Sequence, residues 1–221
     1  IKSMHIHYIS EQNSILNHFL AQIRDVNIQK DSMRFRKNIE RIGEIMAYEI
    51  SKTLTYRDVN VETPLGTKKS RLILEQPIII SVMRAALPFY QGFLNFFDLA
   101  DSGFIGAYRK EEENVNEGIE IEYLYQATPD INNKNLILVD PMLATGNSIV
   151  KTIENLQIKG IAQNIHIVSV IAAPEGVRYV NENVKIPFKL WICSLDERLN
   201  EKSYIIPGLG DAGDLCFGNK I

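Results

Sequence analysis

One stretch concentrates groups able to do chemistry: Leu136-Ile137-Leu138-Val139-Asp140-Pro141-Met142-Leu143-Ala144-Thr145-Gly146-Asn147-Ser148. An apolar, β-type run ends in a carboxylate, passes through a short loop and enters a helical pattern. The small residues from Ala144 to Ser148 let successive backbone N–H groups turn toward one point. The helix adds its N-terminal donors and the positive end of its dipole. Thr145 and Ser148 supply hydroxyl donors, so the loop suits a phosphate monoester. Asp140, just upstream, can accept hydrogen bonds from sugar hydroxyls or stabilise positive charge growing on a sugar carbon. The plainer alternative is that Asp140 caps the loop and that Thr145 or Asn147 caps the helix. Neither the Gly-rich nucleotide loop with its Lys nor the GxGxxG dinucleotide loop occurs.

Two arginines follow other strand-like runs. Arg84, with the backbone of Ala85 and Ala86, could clamp a diphosphate, and Arg109 ends the next run. Each could instead pair structurally with an acid such as Glu111. The tail, Tyr204-Ile205-Ile206-Pro207-Gly208-Leu209-Gly210-Asp211-Ala212-Gly213-Asp214, cannot be a regular helix through Pro207 to Gly210. Such a segment brings backbone donors and acceptors close to a flat base edge, with Tyr204 packed beside it. Its alternative is a glycine-rich terminal loop closed by Phe217.

The elements that must position these groups follow from periodicity. The first 60 residues read mostly helical. Ile15, Phe19 and Ile23 form one stripe, and Asp31 or Ser32 caps a second helix with Phe35, Ile39, Ile42, Ile45, Met46 and Ile50 on its buried face. Residues 56–63 alternate weakly before a turn at Thr63-Pro64-Leu65-Gly66. Strands are then expected over 77–82, 104–108, 136–139, 165–172 and 189–192, with helices over 88–97, 148–157 and 175–181. Alternating apolar strands and helices imply a mostly parallel sheet covered on both faces. Loops following the strands then share one edge, where ligands bind. Residues 109–126 break the rhythm with a charged start and the alternation Ile119, Ile121, Tyr123, Tyr125. They read as a two-stranded arm, either a mobile lid or an ordinary solvated hairpin.

With 24 Lys+Arg against 27 Asp+Glu, the net charge of -3 gives no long-range attraction to nucleic acid. Cys193 and Cys216 make no disulfide framework or zinc cluster, which suits a cytoplasmic protein. No apolar run approaches the roughly 18 residues of a membrane span. The start lacks the hydrophobic region of a signal peptide. Met4 is expected to be the native start, behind three extra residues.

These motifs resemble uracil phosphoribosyltransferase, a type I member of the phosphoribosyltransferases. The stretch Val139 to Gly146 is similar to that family's phosphoribosyl-diphosphate motif, and Tyr204 to Asp214 to its uracil signature. Ala172-Ala173-Pro174-Glu175-Gly176, Phe35-Arg36, Ala47-Tyr48-Glu49 and Met83-Arg84-Ala85 also match. The likeness runs from about His18 to Lys220.

The resemblance implies a type I phosphoribosyltransferase fold spanning 1–221 as one domain. Its parts would be a helical region at 14–60, a β-arm at about 109–126 and a hood at about 194–218. It implies transfer of the phosphoribosyl group from 5-phosphoribosyl 1-diphosphate (PRPP) to uracil, giving UMP and diphosphate. The alternative is a PRPP- or nucleotide-sensing regulator without significant transferase activity. Arg84, Arg109 and Asp140 would be catalytic. Those three, together with Pro141, Met142, Leu143, Ala144, Thr145, Gly146, Asn147, Ser148 and Asp214, would bind PRPP. Uracil would be read by Tyr204, Ile205, Ile206, Gly208, Leu209, Gly210, Asp211 and Ala212, largely through the backbone. Mg²⁺ would be held mainly through PRPP, with no dedicated protein metal site. GTP is an expected effector and a homodimer or higher homo-oligomer the expected assembly, with no nucleic-acid or membrane partner. Three positions depart from the family pattern. Ala86 replaces a common Gly and adds a methyl where an unusual backbone angle is expected. Asn147 also replaces a common Gly, and Leu215 a common Lys or Arg.

Overall fold

The computed structural model describes residues 5–109 and 121–219. Met4 and the charged tip of the arm at 110–120 lie outside the described residues. The chain opens with strand β1 (His5–Tyr8), then helices α1 (Leu16–Arg24) and α2 (Ser32–Ser51). An antiparallel hairpin follows, β2 (Tyr56–Thr63) and β3 (Gly66–Ile73). The central run is β4 (Ile78–Met83), α3 (Leu87–Phe96), β5 (Ser102–Arg109), β6 (Ile121–Ala127), β7 (Asn135–Val139) and the short β8 (Met142–Leu143). It continues through α4 (Asn147–Lys159), β9 (Asn164–Ala172), α5 (Pro174–Asn183) and β10 (Phe188–Leu195). The chain closes with β11 (Arg198–Leu199), β12 (Ile205–Ile206) and α6 (Ala212–Phe217).

The main sheet runs β1-β10-β9-β7-β4-β5-β6, with β8 added to β9. Every neighbouring pair is parallel except β5 with β6. This is the mostly parallel sheet expected from the alternating pattern. Successive strand residues point to opposite faces, and the two faces bury different sets. Ile79, Ile137, Val139, Val168, Val170 and Trp191 pack with α1, α2, α3 and α6. Ile80, Leu136, Leu138, Ile167 and Ile192 pack with α4 and α5. Because both faces are covered, the central strands read as continuous apolar runs.

Several expectations need correction. The helical region expected over 14–60 stops at Ser51, and β2 and β3 occupy 56–73. Both hairpin strands are largely exposed, so no strong apolar alternation marked them. Strand β1 was not expected. It is four residues long and gains its place only by pairing with β10. The buried stripe of α1 is Leu16, Leu20 and Ile23 rather than Ile15, Phe19 and Ile23. Ile15 precedes the helix and is 59% exposed. Asp31 does cap α2, its side chain accepting from the Arg34 N–H at 3.0 Å.

Candidate active site

The loops after β4, β7 and β10 converge at the carboxyl ends of neighbouring parallel strands. Between Asp140 and Gly146 the chain is held against β9. Val170 and Ile171 donate backbone N–H bonds to the Pro141 carbonyl at 3.0 and 3.2 Å, and Ala173 N–H donates to the Leu143 carbonyl at 2.9 Å. With those carbonyls committed to the sheet, the loop climbs to Gly146, the N-cap of α4, at φ 84°. That left-handed geometry suits glycine. A Cβ at Gly146 would also lie 2.9 Å from the Gly176 carbonyl oxygen. The N-cap glycine offers no capping side chain, and the first N–H groups of α4 have no intrahelical partners. The pocket is lined by Asp140, Met142, Leu143, Ala144, Thr145, Gly146, Ser148 and Ile149.

Asp140 Oδ1 accepts from the Met142 N–H at 3.2 Å, and Thr145 Oγ1 accepts from the Asn147 N–H at 3.4 Å. The capping contacts weighed for these residues are therefore present, and both residues still line the pocket. Left-handed tolerance at Asn147 is not used, because Asn147 begins the helix and Gly146 carries the positive φ.

Arg84 follows β4 and reaches the tail. Its Nη2 donates to Asp214 Oδ1 at 2.9 Å and its Nη1 to the Gly218 carbonyl at 3.3 Å. The expected acid partner, Glu111, lies outside the described residues, and the acid seen on Arg84 is Asp214. Arg84 Nε is buried without a hydrogen-bond partner. Ala86 is fully buried at φ -73° and ψ -12°, an ordinary helical geometry. The strain expected from its methyl group is therefore absent. Arg109 ends β5, in register with Ile121. Its side chain is outside the described residues.

The tail folds as a hood. Strand β12 pairs antiparallel with β11, and Glu197 N–H donates to the Ile206 carbonyl at 2.9 Å. The side chains of Ile205, Leu209 and Ala212 are buried in the apolar core. These positions therefore offer a ligand backbone groups only. Asp211 caps α6 by accepting from the Asp214 N–H at 2.9 Å. Tyr204 is 42% exposed. Leu215 packs against the core cluster rather than standing free beside the loop.

Three groups were assigned no task by the sequence reading, although Glu175 and Gly176 lie in one of its matching segments. Glu175, at the start of α5, accepts the Leu199 N–H at 3.1 Å and so fastens β11 to α5. That bond, with the residue's own backbone N–H, holds its carboxyl below the usual carboxylate range against the opposing effect of burial, with smaller help from Arg178 and Arg198. Gly176 passes so close to the phosphate-type loop that a Cβ would meet the Ala144 carbonyl oxygen at 2.2 Å. Asp196, just past β10, pairs with Arg24 at 2.6 Å. An acid at the end of a parallel strand was the signal that drew attention to Asp140, and the same rule would have found Asp196.

Comparison with known proteins places this geometry in context. The family model described as uracil phosphoribosyltransferase matches residues 9–219. A uracil phosphoribosyltransferase of Porphyromonas gingivalis is 45% identical over 218 residues, covering 99% of this chain and 100% of that one. One from Sulfolobus acidocaldarius is 40% identical over 212 residues, covering 92% of this chain and 96% of its own. A solved structure of an Aquifex aeolicus protein superposes with a TM-score of 0.85 at 30% identity, over 98% of this chain and 99% of that one.

Proposed function

The chain belongs to the uracil phosphoribosyltransferase family, and from that premise we infer how its own residues carry the reaction. The enzyme transfers the phosphoribosyl group of PRPP to uracil, giving UMP and diphosphate, a step of pyrimidine salvage. No comparison favours the regulatory alternative. The observation that supports the site reading most strongly is that the glycine-capped start of α4 and Asp140 line one pocket.

In our reading the loop Ala144–Ser148 cradles the 5-phosphate of PRPP with backbone N–H groups and the hydroxyls of Thr145 and Ser148. Pro141, Met142 and Leu143 hold that loop on β9. Asp140 lies beside the ribose hydroxyls and stabilises the positive charge that grows on the anomeric carbon as its bond to diphosphate stretches. Arg84 holds the diphosphate, and Arg109 helps as the arm closes. Asp214 orients Arg84 or a water at the donor. The backbone between Ile206 and Ala212 reads the uracil edge, with Tyr204 and Ile205 at its start. The uracil N1 attacks from the face opposite the leaving group and loses its proton to water. Closure excludes bulk water and protects the activated sugar from hydrolysis.

Mg²⁺ fits this donor set without a protein cage. Among the described residues no three His, Cys, Asp or Glu side chains form a metal cluster, and Asp140 is the carboxylate that lines the pocket. Mg²⁺ is commonly held by one or two carboxylates together with substrate phosphates. Asp140 would hold it here, along with PRPP oxygens. The chemistry it would supply there is neutralisation of charge on the departing diphosphate.

Among the described residues no helix is long and apolar enough to cross a membrane. Both cysteines are free and buried, which supports a reducing, cytoplasmic setting. We read the chain as one phosphoribosyltransferase domain working as a homodimer or larger assembly, with GTP as an effector. The deciding assay is UMP formation from uracil and PRPP with Mg²⁺, with cytosine, orotate and hypoxanthine in parallel, each with and without GTP. Uracil-only turnover is expected. Turnover on another base alone, or none from folded protein, would refute the reading.

A further inference from the structure

The loop assigned above to uracil is held from behind by residues far away in sequence. Asp196 is almost fully buried, and its two oxygens take four donors. Oδ1 accepts from Arg24 Nη2 at 2.6 Å and Ser194 Oγ at 3.0 Å. Oδ2 accepts from Arg24 Nη1 at 2.7 Å and the Gly208 N–H at 2.9 Å. Arg24 Nη1 also donates to the Gly208 carbonyl at 2.8 Å. Both polar backbone groups of Gly208 are therefore gripped by one ion pair. Gln29 Nε2, just past α1, adds a bond to the Leu209 carbonyl at 3.2 Å while it anchors to the Ile23 and Arg24 carbonyls at 3.0 and 3.2 Å.

This grip has a direction. Gly208 sits at φ 60°, and a Cβ there would lie 2.1 Å from the Ile205 carbonyl oxygen. The backbone therefore turns tightly at a position fixed on both sides. Two residues later, Gly210 has nothing within 4 Å of where its Cβ would stand. One side of the loop is thus fastened to α1 and β10, and the other faces open space. A planar, bidentate carboxylate–guanidinium pair fixes orientation as well as distance. Burial disfavours the charged form of Asp196. The Arg24 contacts, with Ser194 and the Gly208 N–H, outweigh it and hold the carboxyl below its usual range.

We propose that Arg24, Asp196 and Gln29 are positioning residues for base recognition, a clasp that sets where the Gly208–Ala212 backbone stands against uracil without touching it. The inference rests on the reading of that loop as the uracil site. The clasp's bonds to the loop end on Gly208 and Leu209, so its effect is expected on one substrate. Loosening it should weaken uracil recognition and leave PRPP binding intact. A general structural role would move both.

The test is a set of variants assayed with uracil and PRPP varied separately, each checked for folding by circular dichroism. Asp196→Asn keeps the shape but loses the charge. Gln29→Ala removes the Leu209 contact together with the bonds to the Ile23 and Arg24 carbonyls, leaves the ion pair in place, and tests the idea if Asp196→Asn does not fold. The expected result is a rise in the uracil KM of about tenfold for Asp196→Asn and about threefold for Gln29→Ala. The PRPP KM should move by less than about twofold, and Arg24→Lys should fall between wild type and Arg24→Ala. Unchanged uracil KM, or parallel rises in both KM values, would overturn the clasp. Gly210→Ala, which puts a side chain on a backbone at φ 94° and so disturbs the loop without touching the clasp, separates the two layers of inference. If it raises the uracil KM while the clasp variants do not, only the clasp fails. If neither it nor the clasp variants move the uracil KM, the loop assignment fails as well.

Discussion

Arg84 Nη2 stands 2.9 Å from Asp214 Oδ1, joining the loop after β4 to the helix that follows the glycine-rich tail. Both side chains are about one-third exposed, so water screens the pair and its net contribution to stability is about 1 kcal/mol at most. Its importance is positional, because a diphosphate can compete with Asp214 for the same guanidinium. Arg84→Gln should raise the PRPP KM at least about tenfold, the scale of one charged hydrogen bond. Its denaturation midpoint should barely change. A donor KM within twofold of wild type would remove Arg84 from the donor site.

Asp140→Asn should reduce kcat by about 100-fold, the scale seen when one group aimed at developing charge is removed. The fold should persist, since an Asn oxygen can still accept the Met142 N–H that Asp140 accepts at 3.2 Å. Steady-state kinetics beside a thermal melt checks both halves. An unchanged kcat/KM would end the electrostatic role proposed for this residue.

Gly176→Ala tests the contact between α5 and the loop proposed to hold phosphate. The new methyl would start 2.2 Å from the Ala144 carbonyl oxygen and 3.0 Å from that of Leu143. Both neighbours are backbone, so the loop itself must shift. The expected cost is about 1–3 kcal/mol of stability, with a raised PRPP KM and a smaller change for uracil. A variant as stable as wild type with an unchanged PRPP KM would show that the loop tolerates the displacement.

His166 gives a pH prediction away from the active site. It is 2% exposed, and its Nδ1 accepts the Trp191 indole N–H at 3.0 Å. The proton of neutral His166 is thereby assigned to Nε2. His7 stacks on the same indole at 3.7 Å. Burial, followed by the charges of Lys189 and His7, lowers the His166 pKa from 6.5 to about 4. The unfolded chain therefore binds the proton more readily than the folded one across that window. Stability is fully present above pH 6.5, falls as the pH drops, and levels off below about pH 4. The loss between pH 6.5 and 5 should be on the order of 2 kcal/mol. Urea titrations of wild type and His166→Gln at both pH values measure it. The variant should lose less than half as much, with a remainder from His7, whose pKa burial also lowers. Equal losses in both proteins would assign the acid sensitivity elsewhere.

Much of the fold was legible because it is written in local periodicity. The continuous apolar runs at β4, β7 and β9 and the spaced apolar residues of α2 state their own partners, since each must bury a face. The strand, loop and helix start around Asp140 to Ser148 were legible as well, because they lie within a few positions. The short β1 was not legible, as four residues carry too little pattern. Nor were β2 and β3 as a pair, since an exposed hairpin buries no face that would mark it.

What only the tertiary structure decided is which distant groups meet. Arg84 and Asp214 are 130 positions apart and Arg24 and Asp196 are 172. No local rule couples such pairs. The sheet order sets β10, β9, β7 and β4 side by side and brings the ends of separate strands to one edge. The tail then closes over that edge, and α1 packs close enough for Arg24 to reach Gly208. The sequence by itself singled out the loop we read as the phosphate site and its acid. The fold chose the partners of Arg84 and Asp196, because those contacts follow from strand order and chain return rather than from spacing along the chain.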